Sequence, residues 1–258
     1  MDLIDTHCHL DVAEFDADRD AVLAGTRATG VAALVVPAIH AEGWPGLLAL
    51  CLAAPVEGPR LYSSLGLHPV YLDRHRDEDL SALERLLAEH HPVAIGEIGL
   101  DYHVGDLDPR GQQRLFERQL AIAREARLPV LLHVRKAHDQ VLYTLRRIPV
   151  RGGIAHAFNG SQEQGRHYLD LGFKLGFGGM LTFERSSKLR RLATQLPLEG
   201  LVLETDAPDM TVAAHQGERN SPEYLPDVLT TLARIRDLDP TEVASRTTAN
   251  AREVLSLA

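Results

Sequence analysis

Eight short runs rich in Leu and Val recur along the chain, each followed by an amphipathic stretch, and this alternation constrains the fold more than any other feature. The runs are Leu3 to His9, Val31 to Ile39, Leu61 to His68, Val93 to Leu100, Pro129 to His133, Gly153 to Phe158, Phe173 to Leu181 and Leu201 to Asp206. Short, near-continuous apolar runs read as strands buried on both faces, the habit of a parallel sheet. Between them, Leu80, Leu83, Leu86 and Leu87 mark one helical stripe, and Leu115, Phe116, Leu120 and Ala123 another. Ser161 with Gln164 spells a capping box, and Asp239, Pro240 and Glu242 spell a second helix start of the same kind. Strand and helix in alternation imply an α/β fold with a mainly parallel sheet. Eight such units in 258 residues fit closure into one TIM (β/α)8 barrel domain over 1–258 better than an open doubly wound sheet.

The polar residues gather where those runs end. The first run finishes Asp5-Thr6-His7-Cys8-His9; side chains two apart on a strand share a face, so His7 and His9 converge while Cys8 points into packing. The fourth run carries Glu97, the fifth stops at His133, the sixth reaches His156 and the eighth finishes Glu204-Thr205-Asp206. In a barrel these strand ends meet at one mouth, where active sites of this architecture lie. Four imidazoles and two carboxylates converging there are costly to bury without a cation, and mixed nitrogen and oxygen donors suit zinc, manganese or magnesium. Six donors exceed what one tetrahedral ion needs, so a carboxylate shared by two divalent ions is the expectation.

These residues stand in six ordered motifs: IDTHCHLD at 4–11, GLHP at 66–69, GEIGLDY at 96–102, LPVLLH at 128–133, IAHAFNGS at 154–161 and ETDAPDM at 204–210. Together they resemble the TatD family of metal-dependent hydrolases, in the YjjV-like branch through GLHPV, RKAHD and LETDAPDM. The resemblance runs nearly the whole chain. It implies a metallo-dependent hydrolase barrel, a deoxyribonuclease-type activity on phosphodiesters and a ligand scheme. His7, His9, Glu97 and Asp206 would hold one ion, and Glu97, His133 and His156 the other.

On that reading Asp206 and Glu97 serve catalysis as well as ligation, with Asp206 taking a proton from the attacking water. His68, at the third strand end, is expected to orient a phosphate or protonate a leaving oxygen. Arg135, two residues beyond His133, is expected to grip a phosphate oxygen. Asp5 and Glu204 are expected to orient ligand histidines from behind. Asp101 and Tyr102 belong to the third motif but receive no chemistry from the sequence.

Composition narrows the partners. A formal net charge of −9, from 36 acidic and 27 basic residues, opposes an extended duplex-binding surface. It does not oppose a DNA end entering a metal-lined cleft, where two divalent ions would add about four positive charges. Cys8 and Cys51 are too few for a disulfide framework. The opening MDLIDTHCHL does not read as a signal peptide, and no apolar run reaches the roughly 18 residues of a spanning helix, so a cytoplasmic, membrane-free and monomeric protein is expected. The leading function is exonuclease-type trimming of DNA ends. Hydrolysis of a small amide, lactone or aminoacyl-tRNA ester is the alternative, followed by a non-catalytic metal- or nucleic-acid-binding scaffold. The basic run Arg185, Lys188, Arg190 and Arg191 reads as a solvated helix face, and His138 as a structural residue with some claim to the mouth.

Overall fold

In the computed structural model, which describes residues 2–54 and 57–257, every run forms a strand. The strands are β1 (Leu3–Asp5), β2 (Val31–Pro37), β3 (Arg60–Leu65), β4 (Ala94–Asp101), β5 (Val130–Arg135), β6 (Gly153–Ala155), β7 (Phe173–Phe177) and β8 (Leu201–Leu203). The helices are α1 (Arg19–Ala28), α2 (Trp44–Leu52), α3 (Asp77–His90), α4 (Pro109–Ala126), α5 (His138–Arg147), α6 (Gln162–Asp170), α7 (Ser187–Gln195), α8 (Leu225–Arg236) and α9 (Pro240–Leu255). All seven neighbouring strand pairs are parallel, in the order β1 to β8. The sheet closes where Thr6 N donates to Leu203 O and Asp206 N to His7 O, completing a TIM barrel.

Alternation along the strands sorts the apolar residues into two cores. Ile4, Val35, Leu131, Ile154 and Val202 fill the barrel interior together with Ala251, Val254 and Leu255 of α9, which plug its lower end. Their strand neighbours Leu3, Leu34, Val130, Leu132 and Leu201 face outward into the larger layer between sheet and helices. The predicted helical stripes lie on α3 and α4, where Leu80, Leu83, Leu87, Phe116, Leu120 and Ala123 are buried.

The predicted strands overshoot on one side. β1, β6, β7 and β8 each stop at least three residues before the end of the apolar run, and the remainder turns over the barrel mouth. Ser161 and Gln164 make the expected capping box on α6. Asp239 caps α9 by accepting from Thr241 N, whereas no return bond from Glu242 forms among the described residues.

One irregularity decides the site. Ile95 and Ile98 both face the helices, so β4 accommodates an extra residue between them, and its pairing with β5 shifts register there. A bulge of this kind re-aims a side chain. Here it turns Glu97 inward. The neighbouring strand β5 approaches closely: a Cβ at Gly99 (φ 147°) would lie 2.0 Å from His133 O.

Candidate metal centre

Glu97 sits at the centre of the mouth, 1% exposed. Its carboxylate is divided between two groups of imidazoles. Oε2 lies 3.2 Å from His7 Nε2 and 3.5 Å from His9 Nε2. Oε1 lies 3.0 Å from His133 Nδ1, 3.1 Å from His156 Nε2 and 3.4 Å from His68 Nε2. Asp206 adds Oδ1 at 3.7 Å from both His7 Nε2 and His9 Nε2, which are themselves 3.3 Å apart. The convergence of His7 and His9 therefore holds, and Cys8 between them is fully buried.

These spacings fit a cation. Ligands about 2.1 Å from an ion at tetrahedral angles lie about 3.4 Å from each other. The distances among His7, His9, Glu97 Oε2 and Asp206 scatter around that value. His7, His9 and Glu97 form one group able to hold a metal, with His7, His156 and Asp206 and also His68, Glu97 and His133 within similar reach.

Hydrogen bonds behind the rings select the ligating nitrogens. His9 Nδ1 donates to Pro37 O at 3.3 Å, which leaves its Nε2 lone pair facing the site. His133 Nε2 donates to Asp101 Oδ2 at 2.9 Å, which leaves Nδ1 facing Glu97. Asp101 is thus the residue whose role the sequence did not disclose. It stands at the end of β4 beside the His133 strand and is itself held by the amides of His103 and Val104. Its one sequence signal is a carboxylate closing an otherwise apolar run. Tyr102 contributes its backbone, donating to Arg135 O.

His68 is wired the opposite way. Its Nδ1 accepts from Val70 N at 3.2 Å, so the neutral ring carries its proton on Nε2 and points it at Glu97 Oε1. Although His68 lies within reach of an ion, it presents a proton rather than a lone pair. Burial, only partly opposed by Glu97, lowers its pKa to about 4 and keeps the ring neutral.

Electrostatics concentrate on Glu97. Burial pushes its carboxyl up, but the surrounding His68, His7, His156 and His133 hold it well below the usual carboxylate range. Burial and the charge of His156 lower His7 to about 3, while Glu97 and Asp206 overcome burial to lift His9 to about 9. Burial raises Asp206 to about 6, against the pull of His156 and His9. The carboxylates of Glu97 and Asp206 thus draw positive charge onto His9, His133 and His156, a demand for positive charge that a divalent cation would meet.

Of the two residues expected to orient histidines from behind, Asp5 does something else. Asp5 accepts from the amides of His7 and Thr205 and from Thr205 Oγ1, tying the end of β1 to β8, and it does not touch the His7 ring. Glu204 Oε1 accepts from Ala157 N at 2.6 Å and forms an ion pair at 3.7 Å with His156 Nδ1, behind the ring as expected. Gly176 makes room for it, since a Cβ there would lie 2.0 Å from Glu204 Oε2. Arg135 ends β5 exposed at the rim of a cavity of about 800 Å³ that His133, His156 and Asp206 border. His138 is buried against Tyr168 Oη and Asn159 Oδ1 and takes no part in the mouth.

The comparisons agree with this geometry. Residues 4–256 match the family described as TatD related DNase. The chain belongs to the TatD family. The uncharacterized metal-dependent hydrolase YjjV of Escherichia coli is 42% identical over 245 residues, 93% of each chain. The crystal structure of the E. coli YjjV protein superposes with a TM-score of 0.94 at 39% identity, covering 99% of this chain and 98% of that one. A TatD protein of Erwinia tasmaniensis, named a 3'-5' ssDNA/RNA exonuclease, is 33% identical over 99% of this chain and its own full length. This TatD-family chain is therefore a metal-dependent hydrolase on a TIM barrel, and no described helix is long and apolar enough to cross a membrane.

Proposed function

We propose that the chain is a phosphodiesterase that trims DNA ends at a binuclear metal centre, with His7, His9, Glu97 and Asp206 holding one ion and Glu97, His133 and His156 the other. The observation that carries this reading is the division of the Glu97 carboxylate, Oε2 toward one pair of imidazoles and Oε1 toward another. Phosphodiester hydrolysis needs charge on both the attacking and the leaving side, which a shared carboxylate between two ion sites provides for. The exonuclease name of the Erwinia tasmaniensis relative supports the same substrate class.

Divalent ions bound there supply Lewis acidity and lower the pKa of water. Asp206, at the open edge of the site, accepts the proton of the attacking water. His68, with Nε2–H aimed into the site, donates to the substrate oxygen that gains charge. Arg135 at the rim clasps a non-bridging oxygen. Asp101 keeps His133 turned toward Glu97.

Purified, metal-analysed protein incubated with end-labelled single- and double-stranded DNA, with and without chelator, tests the reading. Chelator-sensitive loss of terminal nucleotides is expected, reduced on the order of a thousandfold in a folded Glu97→Gln variant. Metal-replete protein that leaves DNA intact but cleaves aminoacyl esters or small amides overturns it in favour of carbonyl chemistry.

A further inference from the structure

The cavity at the mouth does not stop at the metal centre. From His133, His156 and Asp206 it continues to the start of α7, where Arg185 and Lys188 line it. Its volume of about 800 Å³ lies within the range of sites that enclose a small ligand. The basic run 185–191 is thus not one solvated face. Arg190 turns back to donate to Leu181 O, whereas Arg185 and Lys188 stand exposed at the cavity.

The charge of this lobe opposes that of the molecule. The chain carries a net −9, yet beyond the metal donors the cavity lining holds Arg135, Arg185 and Lys188 against the single carboxylate of Asp209. Two cations are held in place before any ligand arrives. The Arg185 guanidinium lies 4.9 Å from the centre of the Phe183 ring. Lys188 Nζ donates to Asn159 O at 2.6 Å. The same lining also carries apolar side chains, Met180 and Leu189 among them. A lone reacting phosphodiester carries one negative charge, which divalent ions held at the metal centre would balance by themselves. Two further cations on the lining of the same cavity match a second anionic group, as the next phosphate of an oligonucleotide would supply.

We propose that Arg185 and Lys188 form a subsite for the phosphate next to the scissile one, with the intervening sugar and base against Met180 and Leu189, so that the site selects oligonucleotides over isolated phosphodiesters. This rests on the phosphodiesterase reading for the reaction, but the subsite itself is a binding claim and can be measured without turnover.

The probe is a fluorescein-labelled tri-thymidylate with a 5′-phosphate, followed by anisotropy with EDTA present, for the natural chain and for the Arg185→Ala/Lys188→Ala double variant. The double variant is expected to bind at least tenfold more weakly, and the slope of log affinity against log salt to shrink by about 0.7 for one lost phosphate contact on a single strand. In parallel, hydrolysis of bis(p-nitrophenyl) phosphate, which has one phosphate only, is expected to be unchanged by the double substitution. Equal binding and equal salt slopes for the two proteins overturn the subsite, as does failure of the natural chain to bind the trinucleotide at all. Weakened binding in the variant, with neither protein cleaving any phosphodiester, upholds the subsite and overturns the phosphodiesterase reading alone.

Discussion

At its lower end the barrel is closed by α9, which presses Ala251, Val254 and Leu255 against Ile4, Val35, Leu131, Ile154 and Val202. At its upper end three of these strands continue, Leu131 to His133, Ile154 to His156 and Val202 to Asp206, and the apolar filling gives way to imidazoles and carboxylates. The same alternation sets both ends, yet the demands on the side chains differ. The floor requires volume and apolar surface, which many side chains supply. The mouth requires a lone pair of the right tautomer at a donor spacing near 3.4 Å, and His9, His68 and His133 each depend on the hydrogen bond behind the ring.

The two ends should therefore respond to substitution in different currencies. The largest thermodynamic effect is expected at the floor. Leu255→Ala removes a side chain 2% exposed and should cost about 2–5 kcal/mol. In a chain of this size that lowers Tm by roughly 5–15 °C, read by calorimetry. The kcat/KM per folded molecule should stay within a factor of two, and a tenfold loss would show that floor and mouth are not separable.

A smaller effect, of the opposite kind, is expected from Asp101→Asn. Without the carboxylate, His133 loses the bond that fixes its tautomer, and metal affinity should fall about 10–100-fold by competition with a chromogenic chelator. The apoprotein Tm should move little. If affinity held and Tm dropped instead, Asp101 would belong with the floor residues as a structural group.

Smallest of all is the cap of α6. Ser161→Ala breaks the reciprocal bonds with Gln164 and should cost about 1 kcal/mol. Neither metal affinity nor turnover should change, although Ser161 follows within five residues of His156. A change in either would mean that α6 transmits strain into the mouth.

The comparison also explains what the sequence disclosed. The strands, the helical stripes and the six donors are legible because each rests on local pattern: an apolar run, its period and the polar residue that ends it. The bond from Asp101 to His133, the tie between Asp5 and Thr205, and the lining of the cavity by Arg185 and Lys188 are contacts between distant segments. No spacing in the chain announces them. Asp5 shows the difference well. Its position two before His7 suggests support for that ring, but closure of the barrel brings Thr205 beside it and the carboxylate serves the backbone instead. Glu97 is a further case, because its inward direction depends on a register shift against β5 that strict alternation does not predict.

The claim on which the mouth depends is that Glu97 serves two ions at once. Metal stoichiometry tests it most directly, by titrating chelator-stripped protein calorimetrically with zinc or manganese and analysing the dialysed product for bound metal. Two equivalents per chain are expected for the natural sequence, with at most one tightly held equivalent in a folded Glu97→Gln variant. A single equivalent in the natural chain, or two undiminished equivalents in the variant, would contradict the account.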